Sequence, residues 1–183
     1  EKTAVPDMSR KPDEDSNKTI YTYGYTVPSG DGTGTITLSI GTDLVGNVVT
    51  STPTSGATFN VDNTAPTITG VSLASNTTIA VTFSEAVYNT NSGSGSLEVG
   101  DFEFSLNGGN ATLSSTTPSS IDIVGNVYTL GISLSGTPDG SETLTVNPAS
   151  SSIYDAAGNV ASTSQSNNTI SLKDQLAPTI SGV

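Results

Sequence analysis

Asp62-Asn63-Thr64-Ala65-Pro66-Thr67-Ile68 returns 112 residues later as Asp174-Gln175-Leu176-Ala177-Pro178-Thr179-Ile180. A second motif keeps the same spacing. Asp43-Leu44-Val45-Gly46-Asn47 precedes the first copy, and Asp155-Ala156-Ala157-Gly158-Asn159, again 112 residues on, precedes the second. Two motifs at one shared offset define a repeat whose period is too long for a solenoid and fits one small domain per unit. The Asp-x-x-Ala-Pro stretch therefore punctuates a tandem array. Its copies divide the chain into 1–62, the C-terminal part of one repeat with 1–19 irregular, 63–174, a complete repeat, and 175–183, the start of a further one.

Between the two marks the pattern is that of strands and turns. Ile68, Val71 and Leu73 form a predicted strand A, and Ile79, Val81 and Phe83 alternate as strand B. After a Ser/Asn/Gly loop at 89–96, Phe102, Phe104 and Leu106 mark strand C, with a weaker strand D near Thr112–Leu113. Tyr128, Leu130, Ile132 and Leu134 mark strand E, Leu144 and Val146 strand F, and Val160 to Leu172 strand G. Strands A to G with turn chemistry between them predict an all-β fold of immunoglobulin-like β-sandwich repeats in tandem. Tyr21-Thr22-Tyr23-Gly24 overlays Tyr128-Thr129-Leu130-Gly131, and Asp31-Gly32 overlays Asp139-Gly140. Residues 20–62 thus supply only the back strands of their repeat, too few to close a sandwich.

Composition narrows the chemistry. The chain has no Cys and no His, which excludes disulfides, zinc sites, Ser-His or Cys-His triads and a His general base. Net charge is −12, from five Lys and Arg against 17 Asp and Glu. Four of the five bases lie in residues 1–20, so the rest of the chain carries one base and 12 acids. Such a surface repels phosphate backbones and argues against nucleic acid as a partner, while it suits a hard divalent cation. No apolar run reaches the length of a membrane span, and no signal-peptide pattern opens the sequence.

The stretches Phe83-Ser84-Glu85-Ala86-Val87, Asp155-Ala156-Ala157-Gly158-Asn159 and Asp62-Asn63-Thr64-Ala65-Pro66-Thr67 resemble the bacterial immunoglobulin-like repeats of very large secreted surface proteins and adhesins. The resemblance covers 20–183. It implies tandem arrangement, export to the cell surface and frequent calcium at domain junctions. Neither linker copy has the denser acidic run of cadherins.

The sandwich topology gives the acids a geometry. Strand A begins at the end that also carries the B–C and F–G loops. Asp62 and Asn63 lead into strand A, Glu85 ends strand B, Asp101 opens strand C and Asp155 opens the F–G loop. Asp31, in the E–F turn of the first unit, sits at the end facing the same junction. These oxygens match what Ca²⁺ takes, with Asp62, Glu85 and Asp155 leading the set. A competing reading makes Asp155–Asn159 a turn whose Asp and Asn bond their own backbone, and Asp122-Ile123-Val124-Gly125-Asn126, with no Ala-Pro after it, shows that the pattern also marks plain turns. Asp139 and Glu142 mirror Asp31 and are expected to face Asp174.

Enzymatic activity is not expected, because Asp101 and Glu103 alternate with Phe102 and Phe104 and so lie on an outer strand face. The expected role is that of a calcium-stiffened stalk or filament of an extracellular surface protein, its partners being neighbouring repeats of the same chain. The alternatives are a glycan- or protein-binding module, using the 89–96 loop or the tyrosines at 21, 23 and 25, and a filament of many copies assembled by strand donation.

Overall fold

Alternation at period two puts Ile79, Val81 and Phe83 on one face of a strand, and the same rule applies to Phe102 and Phe104, Tyr128 and Leu130, and Leu144 and Val146. Four such strands can hide their apolar faces only by packing as two sheets. The structure, a computed structural model, describes residues 9–12, 19–22, 26, 29–38, 41–42, 45–53, 55–180 and 182. Tyr23, Tyr25, Ile40, Asp43 and Leu44 lie outside the described residues, and of Tyr21 only its place in a strand is described.

The chain divides into two compact units, Glu1–Val61 and Asp62–Val183. Unit 1 contains β1 (Ser9–Pro12) paired with β2 (Thr19–Thr22), and β3 (Gly32–Thr35) paired with β4 (Thr58–Val61), both antiparallel. Unit 2 contains β5 (Ile68–Ser75), β6 (Thr78–Phe83), β7 (Phe102–Asn107), β8 (Thr112–Leu113), β9 (Ile121–Val124), β10 (Val127–Gly131), β11 (Leu134–Ser135), β12 (Thr143–Pro148) and β13 (Thr169–Ser171). No α-helix occurs among the described residues.

In unit 2 one sheet runs β5-β6-β10-β9 and the facing one β13-β12-β7, both antiparallel. Written as A-B-E-D against G-F-C, this is the immunoglobulin-like order. The predicted inward residues fill the space between the sheets: Ile79, Val81, Phe83, Phe102, Phe104, Tyr128, Leu130, Leu144 and Val146 are all buried. Phe83, Phe102 and Tyr128 meet as a tilted and edge-on aromatic group with centroids 5.6 to 6.3 Å apart. Burying each of these side chains stabilises the fold by about 1.5–3 kcal/mol.

In unit 1, Ser9–Pro12 lies in the stretch expected to be irregular and forms β1, and in unit 2 three elements differ from the sequence reading. Strand D was expected near Thr112–Leu113, but that pair forms β8, which bonds only to β11 in a small separate sheet. The edge of the first sheet is β9, returning into β10 through a turn in which Gly125 takes φ +59. As an edge strand it buries little, Ile121 being half-buried and Asp122, Ile123 and Val124 exposed. Strand E does not run unbroken to Leu134. It stops at Gly131, where a Cβ would collide with the Ser119 and Ser120 hydroxyls, and Ile132 turns its N–H to the Thr77 carbonyl. Strand G, expected over Val160 to Leu172, is reduced to Thr169–Ser171, with Val160 separately bridged to Tyr154. The polar run between them has no apolar side to hold it in a sheet.

Candidate metal centre

Three parts of unit 2 that are distant in sequence meet at the site. The linker supplies Asp62, whose Oδ1 accepts the N–H of Thr64 at 3.1 Å. The second copy makes the same turn, Leu176 N–H to Asp174 Oδ1 at 2.8 Å, so the punctuation motif carries its own local conformation. Pro66 and Ile68 are buried behind Asp62. Thr67 pairs with Ser84 in both directions: its N–H reaches the Ser84 hydroxyl at 3.1 Å, and its carbonyl accepts the Ser84 N–H at 2.8 Å. That contact sets the residue after Ser84, Glu85, beside the linker.

The third part is the Asp155–Asn159 loop. Asp155 Oδ1 accepts the N–H groups of Ala157 and Asn159 at 2.9 and 2.8 Å, and Oδ2 accepts Asn159 Nδ2 at 2.7 Å. Gly158, at φ +93, closes the loop. The self-bonded turn is therefore present, and it is also what aims the loop. Asn159 Nδ2 reaches the main-chain oxygen of Asp62 at 3.1 Å, tying loop to linker. Asp155 is fully buried at 0% exposure, Glu85 is half-buried and Asp62 is exposed.

Carboxylate oxygens of Asp62, Glu85 and Asp155 lie within 4.8 Å of one another, an arrangement that can hold a metal ion. Like charges at this distance repel by about 1 kcal/mol per pair in water and roughly 3–4 kcal/mol at a protein's effective dielectric. Lys173, the one base in the sequence of unit 2, donates its Nζ to the Ala74 carbonyl at 2.6 Å. The donor set is all oxygen, which fits a hard cation and offers nothing to a soft one.

Asp101 sits in a 3₁₀ turn, Val99–Asp101, and its Oδ2 accepts the Glu98 N–H at 2.7 Å. Burial and the nearby Glu98 charge raise its pKa, against the lowering effect of that hydrogen bond, and it is not one of the three grouped carboxylates. Asn63 is exposed beside Asp62. Asp31 is an exposed residue of unit 1 just ahead of β3.

Glu142 is the residue that sequence reasoning misjudged. Expected with Asp139 to face Asp174, it is instead buried at 0% exposure, although the turn before it does meet that stretch, Gln175 N–H donating to the Pro138 carbonyl at 2.9 Å. Its carboxylate accepts N–H groups of Asn110, Ala111, Asp139 and Gly140 at 2.9 to 3.2 Å. Burial pushes the Glu142 carboxyl up, but the backbone donors outweigh it and bring it from 4.5 down to about 2. Gly108 and Gly109, at φ +82 and +64, fold over it, and a Cβ at Gly109 would strike the carboxylate. The signal available in the sequence was the Gly108-Gly109 pair, 33 residues upstream of Glu142. Asp139 turns to Ser141, accepting its N–H and hydroxyl at 2.9 and 2.6 Å.

No protein-family profile, curated protein or solved structure matches this chain. Among the described residues no helix is long and apolar enough to cross a membrane.

Proposed function

We propose that the chain is a structural segment of a large extracellular surface protein, built from immunoglobulin-like repeats, and that Ca²⁺ held by Asp62, Glu85 and Asp155 pins the point where the linker comes into unit 2. One observation carries this reading: carboxylates from a linker, a strand end and a loop converge within 4.8 Å. Ca²⁺ accepts six to eight oxygens in flexible geometry, so ligands from three independent segments suit it better than Mg²⁺, which demands a near-ideal octahedron. When bound, the ion supplies positive charge that turns mutual repulsion into a shared attachment. Millimolar extracellular calcium saturates even sites of modest affinity.

The test is thermal unfolding of the whole chain in calcium and after excess chelator. At a thousand times its dissociation constant the ion adds about 4 kcal/mol. An identical transition in both conditions would sink the calcium reading.

A second reading, assembly of copies into a filament, is favoured by unit 1. Ile36 and Leu38 lie 108 residues before Leu144 and Val146, yet are 46% and 41% exposed where their counterparts are at 0%. Such a face is stabilised by strands from a second copy. Light scattering that finds only monomers at every concentration would rule this out, as would unchanged association in Ile36→Ser.

A further inference from the structure

We infer that the metal centre governs the order of the exposed loop tip Thr90–Ser94, through a mechanical lock between the loop that follows Glu85 and the loop that contains Asp155. This rests on the reading of the three carboxylates as a calcium site.

Just beyond Glu85 and just before Asp155, the two segments join as a pair of strands one residue long. Tyr88 N–H donates to the Tyr154 carbonyl at 2.7 Å, and Tyr154 N–H donates to the Tyr88 carbonyl at 2.8 Å. Past that bridge the backbones press together at two glycines. Gly93, at φ +67, lies where a Cβ would come 2.8 Å from the Ala156 carbonyl oxygen. Gly158, at φ +93, lies where a Cβ would come 2.7 Å from the Asn91 carbonyl oxygen. Each loop thus places a glycine against the other's main chain, where a side chain would collide.

The tip held by this lock is polar and outward. Thr90, Ser92 and Ser94 bring their hydroxyls to 3.0 to 3.1 Å of one another, and Thr90 Oγ1 also donates to the Ser94 carbonyl at 2.6 Å. Its internal bonds are otherwise few and long, Asn89 N–H to Gly95 O at 3.4 Å and Gly93 N–H to Thr90 O at 3.3 Å. Few buried contacts and exposed backbone bonds mark a segment with low local stability. An ion that holds Glu85 to Asp155 closes the base of both loops, and repulsion between the same carboxylates opens it. Because coupling is reciprocal, whatever loosens the tip must weaken the ion by the same factor.

The experiment combines calorimetric titration of the intact chain with calcium chloride and amide hydrogen exchange in calcium and in chelator. The expected result is that calcium slows exchange at Tyr88, Asn89 and Gly93 together with Tyr154 and Asn159, by at least roughly fivefold. Gly93→Ala, which alters no carboxylate, is expected to weaken calcium by a comparable factor. Gly125→Ala imposes the same left-handed strain, at φ +59 with open space around it, and is expected to leave calcium affinity unchanged. If calcium binds but only Tyr154 and Asn159 respond, or if Gly93→Ala binds it like the wild type, the lock is overturned while the metal site stands. An absence of binding heat in the wild type removes the metal site and the inference with it.

Discussion

Glu142 and Asp155 stand beyond opposite ends of β12, both fully buried carboxylates in a unit with one base in its sequence, and their surroundings solve the problem of a buried charge in opposite ways. Glu142 is wrapped by backbone N–H groups of Asn110, Ala111, Asp139 and Gly140. Asp155 takes hydrogen bonds from Ala157 and Asn159 of its own loop and has two more carboxylates within 4.8 Å. Burial does not make a site. Enough donors close the first position to any ligand, whereas three carboxylates grouped at the second could hold a metal ion.

The largest effect is expected where the closed position is broken. Glu142→Ala leaves four buried or half-buried backbone N–H groups without their acceptor and should lower the melting temperature by on the order of 10 °C or more, equally in calcium and in chelator. Gly109→Ala, which drives a methyl into that carboxylate from a left-handed position, should act in the same direction. A calcium-dependent loss in either variant would erase the distinction between the two ends.

At the open position the sign should depend on the ion. Glu85→Gln removes one of three mutually repelling charges, so in chelator it is expected to stabilise by about 1 kcal/mol or more, while in calcium it should give up much of the roughly 4 kcal/mol expected of a bound ion. Denaturant melts in both conditions measure the inversion. Destabilisation of the same size with and without calcium would show Glu85 to be structural, like Glu142.

Acid separates the two ends further. The folded pKa of Glu142 is depressed from 4.5 to about 2, so its contribution is fully present above the unfolded value and is lost as pH falls from 4.5 towards 2. In chelator, the melting-temperature gap between the wild type and Glu142→Gln should therefore narrow through that window and stay constant above it. A gap that does not change with pH would contradict the backbone wrapping.

The smallest effect tests the motif itself. Asp122-Ile123-Val124-Gly125-Asn126 has the spacing of the Asp155 loop, but Asp122 is an exposed residue of edge strand β9. Asp122→Ala should change stability by less than about 0.5 kcal/mol and leave calcium affinity untouched. Any loss of calcium binding would place a ligand outside the three grouped carboxylates.

These contrasts show how far the sequence can be read. Strands B, C, E and F were legible because each alternates at period two, and their inward residues are the core. Asp62, Glu85 and Asp155 could be set at one end of the unit because the repeat marks its own boundary and the fold fixes which loops share an end. The role of Asp155 as both turn-former and member of the acidic group was legible only as alternatives. The structure joins them, since the hydrogen bonds that close the loop also aim it at Asp62.

By itself, then, the sequence determined the repeat, the all-β class and the inward face of strands B, C, E and F, because those follow from spacing and local alternation. Only the tertiary structure decided that β9 and not β8 forms the sheet edge, that Asp101 accepts the Glu98 N–H in a 3₁₀ turn, and that Glu142 is wrapped by backbone N–H groups while Asp155 stands with two other carboxylates. Asp101 meets the N–H of Glu98 three residues away, whereas β9 and Glu142 depend on which backbone groups they meet after the chain has folded back on itself. For Glu142 the partners lie 31 and 32 residues away, at Ala111 and Asn110, in a turn that two left-handed glycines make possible. No local pattern around Glu142 records their arrival.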